Sequence, residues 1–175
     1  SDFIGGNPDY ECGWSVSLDS SGYILAYSEP GSSNDAGHMT VYVWDGIQWL
    51  WRAGGGGSNS NDRYGHTLDL SNDGNKIAIG IPYHNSNSNT DNGKTIILEY
   101  GPQQGLMTYN YIDSFSGDNT DDNSGSSISL SGNGNTLVIG APYSDANGSN
   151  SGIVRAYSNM ISGCMDSLAC NYDYT

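Results

Sequence analysis

Basic side chains are scarce in this chain: five Lys and Arg stand against nineteen Asp and Glu in 175 residues, for a formal net charge of −14. Phosphate contacts are made by Lys and Arg, so the composition disfavours nucleic acid and anionic membranes as partners. No apolar run approaches the roughly 18 residues that a membrane-spanning helix needs, so membrane insertion is not expected. Histidine is also sparse. His38, His66 and His84 fall at different positions of the pattern described below, and nothing in their spacing brings them to one metal. Cys-x-x-Cys, His-Glu-x-x-His, Gly-x-Ser-x-Gly and P-loop patterns are missing, which leaves catalysis without a constellation. The chain therefore reads as a non-enzyme.

What the sequence has in abundance is internal repetition. Residues 124–143 (SGSSISLSGNGNTLVIGAPY) recur, without a gap, as residues 12–31 and 64–83. Gly13, Gly65 and Gly125 match, as do Gly22, Gly74 and Gly134, and Pro30, Pro82 and Pro142. Each set is spaced by 52 and then 60 residues.

Within the unit, Val16 and Leu18, Leu68 and Leu70, and Ile128 and Leu130 alternate with small polar residues, a period of two that predicts a strand. A short turn ending in Gly22, Gly74 or Gly134 follows, with positive φ expected at the glycine. Next come nearly continuous apolar runs (Leu25 to Tyr27, Ile77 to Ile79, Leu137 to Ile139), the pattern of a strand covered on both faces. The repeated proline ends that strand. Third strands are predicted at residues 37–44, 93–100 and 152–157, and fourth strands at 49–52 and 107–112. Phe3-Ile4 has the look of the tail of an earlier strand. The register predicts burial of Val16, Leu18, Leu25, Leu68, Leu70, Ile77, Ile79, Ile128, Leu130, Leu137 and Ile139. Residues 54–61 (GGGGSNSN) and 85–92 (NSNSNTDN) read as long loops.

Four short antiparallel strands per 50 to 60 residues is about the size of one propeller blade. The best copy, Gly125 to Pro142, resembles the FG-GAP repeats of β-propellers, a class that includes the integrin α-chain head and many surface proteins; the first copy departs most, with Ser28-Glu29-Pro30 in place of Gly-Ala-Pro. The resemblance implies an all-β fold of three consecutive four-stranded blades at about residues 1–57, 58–117 and 118–160, and an extracellular adhesion or scaffold role. Closed propellers need about 4 to 8 blades. The expected partners are accordingly other protein chains or further blades of the same polypeptide, packed around Phe3, Ile4 and Val16 at one end and Ile153, Val154 and Tyr157 at the other.

Residues 163–173 (GCMDSLACNYD) resemble the Cys-containing units near the ends of surface and secreted proteins of marine microbes, so residues 161–175 are expected to begin a tail repeat. That resemblance implies an oxidising exterior, at a cell or virion surface. Two pairings stay open: Cys164 with Cys170, or one of these with Cys12.

Oxygen-rich loops are the remaining candidates. Asp118, Asp121 and Asp122 in residues 118–123 (DNTDDN), and Asp145 and Asn147 in residues 145–150 (DANGSN), are the densest clusters of hard-cation ligands. Integrin-type blades hold calcium in an Asp-x-[Asp/Asn]-x-[Asp/Asn]-Gly loop, of which this chain has only a truncated echo at Asp145 to Gly148. The clusters read either as calcium ligands or as Asx-turns and solvated acidic loops. Asn147-Gly148-Ser149 is the sole N-glycosylation sequon. Tyr83 and Tyr143 follow the repeated proline, and Trp44, Trp49 and Trp51 surround the first outer hairpin. Such aromatics serve either to staple blades or, exposed, to hold sugar rings. The leading functional expectation is a non-enzymatic structural or adhesion module of a surface assembly; the alternative is a carbohydrate-binding propeller with glycan partners.

Overall fold

A computed structural model describes residues 2–86 and 88–158. The chain is all-β. β1 (Val16–Leu18), β2 (Ile24–Glu29), β3 (His38–Trp44) and β4 (Trp49–Gly56) form the first sheet, each strand pairing antiparallel with the next. β5 (Thr67–Leu70), β6 (Lys76–Ile81), β7 (Lys94–Gln103) and β8 (Leu106–Ser116) form the second, and β9 (Ser127–Leu130), β10 (Thr136–Ala141) and β11 (Ile153–Ser158) the third. These are three consecutive propeller blades. Four strands were expected in each; among the described residues the third blade has three. The expected tail repeat, with Cys164 and Cys170, lies outside the described residues.

The inner hairpins close through their side chains as well as through glycine. Gly22, Gly74 and Gly134 have φ of 73°, 63° and 67°. The Asp19 carboxylate accepts the Ile24 N–H at 2.8 Å, and the Ser71 and Ser131 hydroxyls accept the N–H groups of Lys76 and Thr136 at 2.9 Å each. Burial pushes the Asp19 carboxyl up, but hydrogen bonds from the Ser21 hydroxyl and from the Ile24 and Ser21 N–H groups outweigh it and hold its pKa below the usual carboxylate value.

Glycines 54–56, expected to open a loop, instead finish β4 opposite His38, Met39 and Thr40. The reason is steric: a Cβ on Gly56 would lie 2.8 Å from the Gly37 carbonyl oxygen, and one on Gly54 would lie 3.2 Å from that of Met39. Both complete outer strands carry a register shift at the same place, between Val41 and Tyr42 and between Ile97 and Leu98. A bulge repeated in this way increases local twist and lets the blade curve about its neighbour.

The core lies between blades. Leu68, Leu70, Ile77, Ile79, Ile96 and Leu98 of the second blade pack against Ala26, Met39, Val41 and Ala53 of the first. From its opposite face, Ala78 and Ile97 meet Leu130, Leu137 and Ile139 of the third. The second and third blades thus turn the large aliphatics of their first two strands toward the blade before them. This overturns one expectation: Val16 and Leu18 hold the matching positions in the first blade, where the described residues supply nothing to cover them, and they are 62% and 56% exposed. Leu25 and Ile128 are half-buried, and the other seven residues predicted for the core are buried.

Candidate functional site

β1, β5 and β9 are the inner edges of their sheets, and the alternate N–H groups on an edge need acceptors from outside the sheet. For β5 and β9 the preceding blade supplies them. Ser15 Oγ accepts from Leu68 N and Ser17 Oγ from Leu70 N, both at 3.1 Å, and Asp69 Oδ2 accepts from Leu130 N at 2.8 Å. Thr67 donates its hydroxyl to the Gly125 carbonyl at 2.9 Å. At the hairpin turns a second series runs along the blades, with Ser20 N–H on Asn72 O at 3.0 Å and Asn72 N–H on Gly132 O at 2.7 Å. Each seam between blades is therefore an apolar layer edged by side-chain to backbone hydrogen bonds. At the first seam, the Arg52 guanidinium also lies 3.8 Å from the Tyr100 ring centroid, a cation–π contact across the outer strands.

Connections between blades repeat as well. Residues 5–13, 57–65 and 117–125 each place Asn two residues after the first glycine, at Asn7, Asn59 and Asn119. Left-handed residues follow at matched positions: Asp9, Asn61 and Asp121, then Glu11, Arg63 and Asn123, with φ between 49° and 68°. Asp62 and Asp122 occupy one equivalent position and are both buried. Asp122 Oδ2 accepts the N–H groups of Asp118 and Asn119 at 3.2 and 3.0 Å, whereas Asp62 Oδ2 is met by Asn59 Nδ2 at 3.0 Å and His84 Nδ1 at 2.8 Å. These repeated connectors escaped the sequence reading, although the Asn spacing carried their signal.

The proposed calcium ligands do not converge. Asp122 is committed to its own connector. Asp118 pairs with Arg155. Asp121 is exposed and lies close enough to Asp91 that, after burial, it is the second cause raising the Asp91 pKa. Asp145 Oδ1 accepts the Asn150 N–H at 2.7 Å, and the Asn147 N–H donates to Ser151 Oγ at 3.0 Å, so this loop closes on itself as Asx-type turns do. Among the described residues no three His, Cys, Asp or Glu side chains form a metal-holding group.

Other predicted residues are placed as follows. Cys12 is half-buried, its Sγ 3.9 Å from the Phe3 carbonyl oxygen, and burial pushes its thiol pKa up, helped by Glu29. Asn147 is exposed in its loop. Trp44 packs on Trp49 at 5.6 Å, while Trp51 stands 66% exposed. Another aromatic arc, unforeseen, forms where the inner strands begin. Trp14 and His66, at equivalent places on neighbouring blades, lie 5.5 Å apart, and Tyr83 meets His66 at 6.2 Å. Arg63 lies over Trp14 and pairs with Glu11. Burial lowers the His66 pKa and the Arg63 charge lowers it further, against a smaller opposing pull from Glu11.

The FG-GAP repeat family matches residues 116–157, from the end of β8 through nearly all of the third blade. Solved structures carry the likeness over most of the chain. Among the 75 chains that match is the crystal structure of Saccharomyces cerevisiae Sqt1, 10% identical, covering 90% of this chain and 34% of that chain, with a TM-score of 0.53. This chain thus spans about a third of the Sqt1 chain. At such identity the likeness speaks for fold alone. No curated protein matches the sequence. No helix among the described residues is long and apolar enough to cross a membrane.

Proposed function

We propose that this chain is a non-enzymatic structural and adhesion module that contributes blades to an extracellular surface assembly such as a filament, appendage or virion coat. One observation carries this reading. The second blade is covered on both faces, whereas the first and third each leave one face, built like those in the seams, open to solvent. Exposed apolar faces of this kind call for a protein neighbour, either further blades of the same polypeptide or another chain. The FG-GAP match to the third blade and the acidic, lysine-poor surface agree with it. The exposed Asn147 sequon and the resemblance of the tail support an extracellular place.

A second reading, a carbohydrate-binding propeller, is favoured by the arc of Trp14, His66 and Tyr83, in which Trp14 is 51% exposed. A glycan array probed with the purified chain decides between them. Silence is expected; saturable binding that Trp14→Ala abolishes would overturn the structural reading in favour of the lectin.

A further inference from the structure

The open faces of the first and third blades repeat the two sides of the internal seams. On the third blade, Ser127, Ser129, Val138, Gly140 and Val154 occupy the positions through which the second blade receives its neighbour (Thr67, Asp69, Ala78, Gly80 and Thr95), and Val154 is 71% exposed. A concavity of about 630 Å³ opens beside them, lined by residues that include Ser127, Gly140 and Val154. On the first blade, Val16, Leu18 and Leu25 occupy the positions with which the second and third blades fill that place. Neither set carries a charge.

The glycines tell the same story from the backbone. Gly13, Gly65 and Gly125 share φ of 85°, 86° and 92°. A Cβ on Gly65 would lie 2.9 Å from Ser28, and one on Gly125 would lie 2.8 Å from the Lys94 carbonyl oxygen, yet a Cβ on Gly13 meets nothing within 4 Å. Gly22 likewise faces open space, where Gly74 and Gly134 press on Ile24 and Lys76 of the blade before. The first blade thus keeps the backbone shape of a docked blade with nothing docked against it.

Phe3 points to what fits there. It stands two residues before Gly5, as Phe115 stands two before Gly117, and its ring lies 4.7 Å from Tyr42, just as Phe115 lies 4.2 Å from the equivalent Tyr157. Phe115 pairs with Thr95 in the outer strand of the second blade, and Gly55 with Met39 in that of the first. The start of the chain therefore sits where the outer strand of a preceding blade would end, and β11 has no outer partner strand among the described residues.

We infer that the third blade of one copy docks, head to tail, on the first blade of a second copy of this chain, extending the internal seams by the same rule. This rests on the blade-module reading above and names its partner. In the docked pair the Val16 and Leu18 N–H groups of the second copy donate to the Ser127 and Ser129 hydroxyls, and Gly13 lies against Gly140. The Gly132 N–H reaches the Ser20 carbonyl, and Phe3 comes beside Val154 on the outer edge of β11. Two copies joined at both ends make a ring of six blades, within the usual range of about 4 to 8. The interface is heterologous, so each copy uses two different surfaces. Because the chain carries −14, association strengthens as salt screens the repulsion.

Sedimentation of the full 175-residue chain tests this with two blocking variants, Val154→Arg on one face and Leu18→Arg on the other. Both sites are exposed, and unchanged circular dichroism and melting of each variant confirm folding. The wild-type chain is expected at twice its 18.6 kDa, each variant alone as a monomer, and an equimolar mixture as a one-to-one dimer, since the mixture alone restores one intact seam. Self-association of Leu18→Arg alone, or a mixture that stays monomeric, would overturn head-to-tail docking. A monomeric wild-type chain would overturn it too and assign the open faces to further blades of a longer polypeptide, leaving the blade-module reading intact. Saturable glycan binding would have the converse effect.

Discussion

Replacing Gly74 by alanine probes a seam at a single atom. At φ 63° an alanine is strained by about 1 kcal/mol. Its Cβ would also lie 2.5 Å from Ile24 Cδ1 and 3.1 Å from Ile24 Cβ, in the blade before. The Cδ1 conflict can be relieved by rotating the Ile24 side chain, but the Cβ conflict needs backbone movement in a packed seam, and overpacking of this kind costs about 1 to 3 kcal/mol. Gly74→Ala is therefore expected to cost about 2 to 4 kcal/mol in all. Gly22→Ala supplies the internal control. Its φ is 73° and its Cβ meets nothing within 4 Å, so it bears the strain alone, about 1 kcal/mol. Urea denaturation followed by tryptophan fluorescence measures both, in the Val154→Arg background so that the first blade stays uncovered. Removing the opposing Cβ closes the cycle: Gly74→Ala combined with Ile24→Gly should show a favourable coupling of at least about 1 kcal/mol. Equal costs for the two alanines, or additivity in the cycle, would refute the account of the seam.

Other outcomes follow from individual residues. The folded pKa of His66 lies below its ordinary 6.5, so the neutral ring is favoured; its contribution is complete above pH 6.5 and is lost as pH falls through the lower folded value. Melting temperature should fall across that window in the wild type and fall less in His66→Gln; identical slopes would remove His66 as the cause. Asp122→Ala removes a buried charged acceptor from two N–H groups and should cost about 2 to 3 kcal/mol in chemical denaturation, whereas an effect near zero would mean that the connector is not held this way. Calcium titrated into EDTA-treated chain should give neither heat nor a rise in melting temperature; heat that disappears in Asp118→Asn or Asp145→Asn would show that the carboxylates can regroup around an ion. Secreted from a eukaryotic host, the chain should carry one N-glycan, seen as a mass shift that Asn147→Gln abolishes, and a mass unaffected by that substitution would refute use of the sequon.

Strands and hairpins were legible in the sequence because their signals are local: alternation at Leu68 and Leu70, a turn at Asp73-Gly74, a proline that stops β6. The exposure of Val16 and Leu18 was not, since periodicity identifies which face is apolar and says nothing about whether a neighbour is present. Gly54 to Gly56 were misassigned because low strand propensity outweighed, on paper, a steric need that exists only once β3 lies alongside. The connectors escaped for another reason. Glu11 and Arg63 are poor left-handed residues by type, so composition gave no hint of αL geometry at those positions. Counting acidic residues also misled. Density marked Asp118, Asp121 and Asp122 as a cluster, but whether three carboxylates converge depends on backbone turns that send one into the connector, one to Arg155 and one outward.

The two seams differ in the size of their apolar layers, and that difference sets how the chain would respond to pulling. The first is thick with large side chains, including Met39, Ile77, Ile79, Leu98 and Tyr109, and is clasped by Arg52 across the outer strands. The second, among the described residues, relies on a smaller set around Ile97, Leu137 and Ile139 and on the ring contact of Phe115 with Tyr157. Blades joined only to their neighbours separate at the weakest junction. Under load the third blade would detach first while the first two stay together, so the chain would yield by extending at one defined joint before any blade unravelled.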